Sequence, residues 1–108
     1  MPGKRRGKLE IYADILTVCS LGGRKTEIMY RANLSYELLT KYLKELEEGH
    51  FISNKDNVKC LTEKGERLLN LLNKWRKIRE EIEDVEFKIA VLTAKKIRTE
   101  EIELKNTN

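Results

Sequence analysis

Long apolar runs are absent from this sequence: nothing approaches the roughly 18 to 20 uninterrupted apolar residues that a membrane-spanning helix requires. No signal-type apolar run follows the N-terminal MPGKRRGKLE either, so an intracellular protein with no membrane partner is expected. Cysteine and histidine are nearly missing. Cys19, Cys60 and His50 are the only such residues and no CxxC pair occurs, which argues against a structural zinc site. Both cysteines lie on otherwise apolar patterns and are expected as buried free thiols. Also absent are a nucleophile with a base nearby, a paired-carboxylate site and a phosphate-cradling glycine loop. An enzyme is therefore not expected, and neither is a cofactor, a metal or a small-molecule substrate; His50 reads as a turn or strand residue. Aromatic residues make up only 6% of the chain while 37% is charged, a surface-rich composition that suits long helices better than a compact sphere.

The 108 residues have room for one modest core plus an appendage. With 22 basic and 18 acidic residues, the formal net charge is +4 and the pI about 9.1. That excess would attract a polyanion, but it is mild, and the placement of the charges has to decide.

Residues 1–7 (MPGKRRG) are basic, with a Pro and two Gly, and read as a flexible arm. From Lys8 to Ser20, Tyr12, Ile15, Leu16 and Cys19 recur at i, i+3, i+4 and i+7, widened by Leu9, Ile11 and Val18, the stripe of an amphipathic helix. Gly22 and Gly23 end it. A short helix over Lys25–Ala32 has Ile28, Met29 and Ala32 as its buried side; Asn33 and Leu34 form a turn. Ser35 is a good N-cap for a third helix, whose core face is Leu39, Tyr42, Leu43 and Leu46 and which Gly49 is placed to stop in a left-handed cap. Helix, tight turn and capped helix make a helix-turn-helix candidate. HFIS and VKCL, separated by Asn54, Lys55, Asp56 and Asn57, read as a small hairpin, the wing. Thr62 caps the last helix, with Glu63 and Glu66 in its first turn. Gly65 so early in a helix costs about 1 kcal/mol against Ala, which suits a position where another backbone passes close by.

From Leu68 onward the apolar residues Leu68, Leu71, Trp75, Ile78, Ile82, Val85, Ile89 and Leu92 alternate steps of three and four, the spacing of a coiled coil. Leu69, Leu72, Phe87 and Val91 fall outside this seam, and the first two are candidates to pack on the head. With Leu68, Trp75, Ile82 and Ile89 as a positions, a parallel pair sets Lys74 against Arg79 and Glu81 against Glu86, and both contacts repel. An antiparallel pair centred between Glu83 and Asp84 sets Glu81 near Lys88 and Arg79 near Glu86, against one unfavourable contact of Lys74 with Lys95. It also stacks Trp75 on Leu92, Ile78 on Ile89 and Ile82 on Val85. Exposed ion pairs are worth only about 0 to 1 kcal/mol, so they select the arrangement while apolar burial holds it. The alternative is a helix folded back on its own domain. Beyond Arg98 the polar TEEIELKNTN is expected to fray.

The expected fold class is thus mainly α with a small β-hairpin, a winged helix-turn-helix plus a long C-terminal helix forming an antiparallel coiled-coil dimer. Its parts are an arm over 1–7, the winged head over 8–66, a dimerisation helix over 67–98 (Leu71, Trp75, Ile78, Ile82, Val85, Ile89 and Leu92) and a tail over 99–108. In such a head the third helix enters the major groove of duplex DNA and the wing reaches the neighbouring backbone. The outer face of the third helix carries Ser35, Tyr36, Glu37, Thr40, Lys41 and Lys44. Around it lie Arg24, Lys25 and Arg31 from the second helix, Lys55 and Lys59 from the wing, and Lys4, Arg5, Arg6 and Lys8 from the arm and its junction. Glu45, Glu47 and Glu48 fall at the far end, a segregation suited to tracking phosphate. No Arg or Asn projects from the start of the helix for bidentate base contacts, so weak sequence discrimination is expected.

KLEIYADIL, KTEIMYRANLSYELLTKYLKELE and LTEKGERLL, in this order and followed by a heptad helix, resemble the archaeal ten-a family of small winged-helix DNA-binding proteins over roughly residues 5–98. KTEIMYRANLSY is the most specific part; LTEKG is shared by winged helices in general. The resemblance implies chromatin-type proteins of the cytoplasm or nucleoid, an antiparallel coiled-coil dimer, and duplex binding with little sequence preference. It carries DNA contacts over to Lys25, Arg31, Ser35, Tyr36 and Lys41, with Lys59 in the wing, where Asp56 weakens the grip on phosphate. Three functions compete: an architectural protein of the nucleoid, a sequence-specific transcription regulator, and a winged helix that contacts only protein.

Overall fold

A computed structural model describes residues 6–94, in the order α1 (Lys8–Cys19), α2 (Lys25–Arg31), α3 (Tyr36–Glu48), β1 (Ile52–Lys55), β2 (Val58–Leu61) and α4 (Glu63–Leu92). The architecture is mainly helical with a two-stranded antiparallel hairpin and a long C-terminal helix. Two units divide the chain, the first running to Trp75 and the second beginning at Arg76. Lys4, Arg5, Lys95 and the segment from Arg98 onward lie outside the described residues.

The core belongs to the first unit. Ile15, Leu16, Ile28 and Leu39 are wholly buried at its centre, with Leu43, Leu46, Ile52 and Leu72 around them. α1 is more deeply set than its stripe predicts, because α2, α3 and β2 all pack on it. Ala13, off the expected stripe, is fully buried, whereas Leu9, assigned to it, is 42% exposed. Leu68 and Leu69 pack against the core with Leu72, so the start of the heptad series serves the head.

Helix ends follow local chemistry. The Ser35 hydroxyl accepts a hydrogen bond from Leu38 N–H at 3.2 Å, and Thr62 Oγ1 accepts from Gly65 N–H at 3.0 Å, as expected of both caps. α2 closes in a Schellman arrangement: Leu34 N–H reaches Met29 C=O and Asn33 N–H reaches Tyr30 C=O, with Asn33 left-handed at φ 54°. α3 closes the same way through Phe51 and His50, and here the expectation is corrected. The left-handed residue is His50, at φ 63°, while Gly49 has φ −78°. Glycine at 49 answers a packing need instead, since a Cβ there would fall 2.7 Å from Phe51 Cδ2.

The hairpin pairs Ile52 with Leu61, Ser53 with Cys60, Asn54 with Lys59 and Lys55 with Val58. Its connection is two residues, not four: Asp56 and Asn57, at φ 51° and 67°, make a turn of the I′ kind, which matches strand twist and which these short polar side chains tolerate. Gly23 adds an isolated antiparallel bridge to Lys59 on the other side of β2. Gly65 is the close approach inferred above: a Cβ would drive into the Phe51 carbonyl oxygen, whose residue also receives the Thr62 N–H at 3.1 Å. Cys19 is buried as expected and Cys60 only half-buried, both as free thiols.

In the second unit α4 runs on to Leu92. Its seam residues Ile78, Ile82, Val85, Ile89 and Leu92 are 46 to 68% exposed. Arg79 pairs with Glu83 at 3.5 Å and Lys88 with Asp84 at 2.9 Å, each one helical turn apart.

Candidate nucleic-acid interface

α3 presents an outer face because its core stripe is narrow and strongly contrasted. Leu39, Leu43 and Leu46 are buried while Tyr36, Glu37, Leu38, Thr40, Lys41 and Lys44 are exposed. Ser35, held as the N-cap, fixes where that face begins. Tyr36 is 62% exposed, and the Lys25 ammonium lies 4.4 Å from its ring centroid and 3.4 Å from its hydroxyl. A cation over a ring face is worth about 0.5 to 1 kcal/mol at such an exposed site, enough to bias the ring without locking it. The Lys41 ammonium rests 5.1 Å from the Tyr42 ring centroid. Arg24, at the N-cap of α2, and Arg31, at its end, are both exposed, as is Lys55 at the end of β1. Among the described residues, Arg31, Lys44 and Lys55 have no carboxylate within ion-pair distance.

Three cations grouped with this face by sequence are engaged elsewhere. The Arg6 guanidinium donates to Asp14 at 2.7 Å and to the Ala32 carbonyl at 2.6 Å, and also reaches the Asn33 carbonyl, so it ties the chain before α1 to the turn between α2 and α3. Lys8 lies 3.3 Å from Glu45 and 5.4 Å from the Tyr12 ring centroid. Lys59 is 2.8 Å from Glu47, with its side chain only 17% exposed. Spacing could not reveal these pairings, because each joins residues distant in sequence.

Two of the three carboxylates at the end of α3, Glu45 and Glu47, are paired within the head, while Glu48 is exposed. Tyr12 donates its hydroxyl to Glu45, which with Lys8 holds that carboxyl below its ordinary pKa. For Glu47, burial would raise the pKa, but the Lys59 ammonium and the Asn54 amide prevail and lower it. Tyr12 is pushed up by burial and by its bond to Glu45; Lys8 is pushed up by Tyr12 and Glu45 together. Sequence reading passed over Tyr30, which is 75% exposed beside Arg31, and Leu38, exposed on α3. The signal for Tyr30 was available: it sits two places from Ile28 and two from Ala32, opposite the buried side of α2.

A family model described as winged helix-turn-helix matches residues 5–80. The chain belongs to the winged helix-turn-helix family. The crystal structure of Sso10a-2, a DNA-binding protein from Sulfolobus solfataricus, superposes with a TM-score of 0.74 at 30% identity, covering 82% of this chain and 98% of that one. This winged helix-turn-helix protein is therefore of the archaeal ten-a type. An uncharacterized protein of Methanocaldococcus jannaschii is 40% identical over 70 residues, 64% of this chain and 33% of its own length. The chain thus spans about a third of the curated relative it matches. Lactococcus lactis ZitR is similar in fold, with a TM-score of 0.55 at 19% identity, covering 97% of this chain and 75% of that one.

Proposed function

We propose that this protein binds double-stranded DNA with little sequence preference, as an antiparallel homodimer associated with the nucleoid of the cytoplasm. The observation that carries the reading is the split along α3. Tyr36, Thr40, Lys41 and Lys44 are exposed on α3, with Lys25 against Tyr36 and Arg31 exposed at the end of α2, while Glu45 and Glu47, which would repel phosphate, are paired with Lys8 and Lys59. The family and the DNA-binding Sulfolobus relative support the same partner. Contacts from Lys41, Lys44, Arg31 and Lys55 address phosphate, which carries no sequence information.

Dimerisation would use Leu71, Trp75, Ile78, Ile82, Val85, Ile89 and Leu92. A surface hollow on α4 is lined by Ile78, Glu81, Ile82, Val85 and Glu86. Four of these stand at i, i+3, i+4 and i+7, the outline of the hole that accepts a knob from a facing helix. In this reading residues 8–66 form the DNA-binding head and 67–98 the dimerisation helix, between a basic arm at 1–7 and a polar tail at 99–108.

Glu37, exposed at the start of α3, favours one alternative, a sequence-specific regulator, because a carboxylate there can accept from a cytosine amine. Gel shifts on unrelated duplexes at several salt concentrations separate the two. Similar affinities with a steep salt slope, weakened at least tenfold by reversing charge at Arg31 and Lys41 together, support the architectural role. One strongly preferred palindrome supports the regulator.

A further inference from the structure

Asn54 and Lys59 are cross-strand partners in the wing, and their side chains converge on one oxygen of α3. Lys59 Nζ lies 2.8 Å and Asn54 Nδ2 2.9 Å from Glu47 Oε2. Lys59 is also held by its backbone: its N–H donates to Gly23 C=O at 2.7 Å, and its C=O accepts from Gly23 N–H at 3.1 Å. One residue is thereby fixed to α3, to β1 and to the turn before α2. Lys55, one register step nearer the tip, is exposed.

A lysine bound this way cannot serve phosphate without cost. Moving its ammonium to DNA would strip a half-buried carboxylate of its cation in front of a polyanion. We propose that Glu47 is a positioning residue that clips the wing to α3 and withholds Lys59 from DNA, leaving Lys55 as the lysine through which the wing meets phosphate. The DNA part of this inference rests on the duplex-binding reading above; the clip itself does not.

The test has one arm without DNA and one with it. In the free protein, Glu47→Gln and Lys59→Met should each speed amide hydrogen exchange in Ile52–Lys55 and Val58–Leu61 by about tenfold, as loss of a charge-assisted bond implies. Unchanged exchange overturns the clip. Lys59→Met keeps the aliphatic stem and carries both arms if Glu47→Gln does not fold. On a random duplex, Lys59→Met should keep the wild-type salt slope, while Lys55→Met flattens it by about 0.9. Glu47→Gln, releasing Lys59, should steepen the slope by about 0.9, so that its advantage over wild type shrinks about 3.5-fold between roughly 50 and 200 mM salt. Glu48→Gln removes the same charge from the neighbouring exposed carboxylate and should leave the slope unchanged. A flattened slope in Lys59→Met, or equal steepening in Glu48→Gln, overturns the withholding of Lys59. Failure of the wild type to bind any duplex at low salt would overturn the duplex-binding reading instead, and the exchange arm would still decide the clip.

Discussion

Up to Trp75 the chain spends its side chains on partners far away in sequence; from Arg76 to Leu92 the same residue types are arranged differently. In the head, α1 buries Ile11, Ala13, Ile15, Leu16, Val18 and Cys19, and the ion pairs Lys8–Glu45 and Lys59–Glu47 join separate elements. On α4 beyond Trp75, the apolar stripe is exposed, and the pairs Arg79–Glu83 and Lys88–Asp84 close within one turn. Burying a Leu or Ile is worth about 1.5 to 3 kcal/mol, whereas a surface pair contributes about 0 to 1. The head is therefore stabilised by what it already covers. The distal helix leaves its apolar stripe uncovered within one chain, and in the dimer proposed above association would bury it.

The sharpest way to break that contrast is to place the same residue in both regions. Ile15→Asp puts an unpaired charge among wholly buried neighbours and should cost most of the roughly 5 to 15 kcal/mol that a domain possesses, abolishing the folding transition in circular dichroism. Ile82→Asp should leave the head folded but convert a dimer to a monomer in sedimentation at micromolar concentration. A variant that stays dimeric would mean the seam lies elsewhere.

A milder probe is Gly65→Ala. It adds one methyl where the Phe51 backbone already sits, and should destabilise the head by about 1 to 3 kcal/mol or more in chemical denaturation, with dimerisation intact. Acidification comes next. Glu45 and Glu47 are held below the ordinary carboxylate pKa, so their contribution is present above that value and is lost as pH falls through the lower folded values. Thermal melts of the wild type should therefore show Tm falling over that acid range, and the Glu45→Gln, Glu47→Gln double variant should show a smaller fall. The smallest effect concerns the thiols: burial pushes Cys19 up to about 12, so a maleimide at pH 8 should label half-buried Cys60 first and Cys19 only on unfolding.

Much of this fold was legible in the chain. Ser35 and Thr62 announce helix starts because capping is local chemistry, and Gly65 announced a close approach because glycine is a poor choice so early in a helix. His50 taking the left-handed position beside an available glycine was not legible, since the need at 49 comes from the Phe51 ring. Nor was the bridge of Gly23 to Lys59, a single pair of backbone bonds without a strand pattern. The same limit applied to the interface. The outer face of α3 follows from its period, so Tyr36, Thr40, Lys41 and Lys44 could be named, but Arg6, Lys8 and Lys59 are claimed by tertiary partners that charge counting does not see.

The two ends of the hairpin have unequal freedom. At its root, the Phe51 carbonyl is pressed against Gly65 and bonded by Thr62, so extra atoms there have nowhere to go. At its tip, Asp56 and Asn57 are exposed and form the turn that joins the two strands. Short peptides spliced between those two residues should lengthen the wing while leaving its seat undisturbed, so the span of the hairpin is an adjustable dimension of the head.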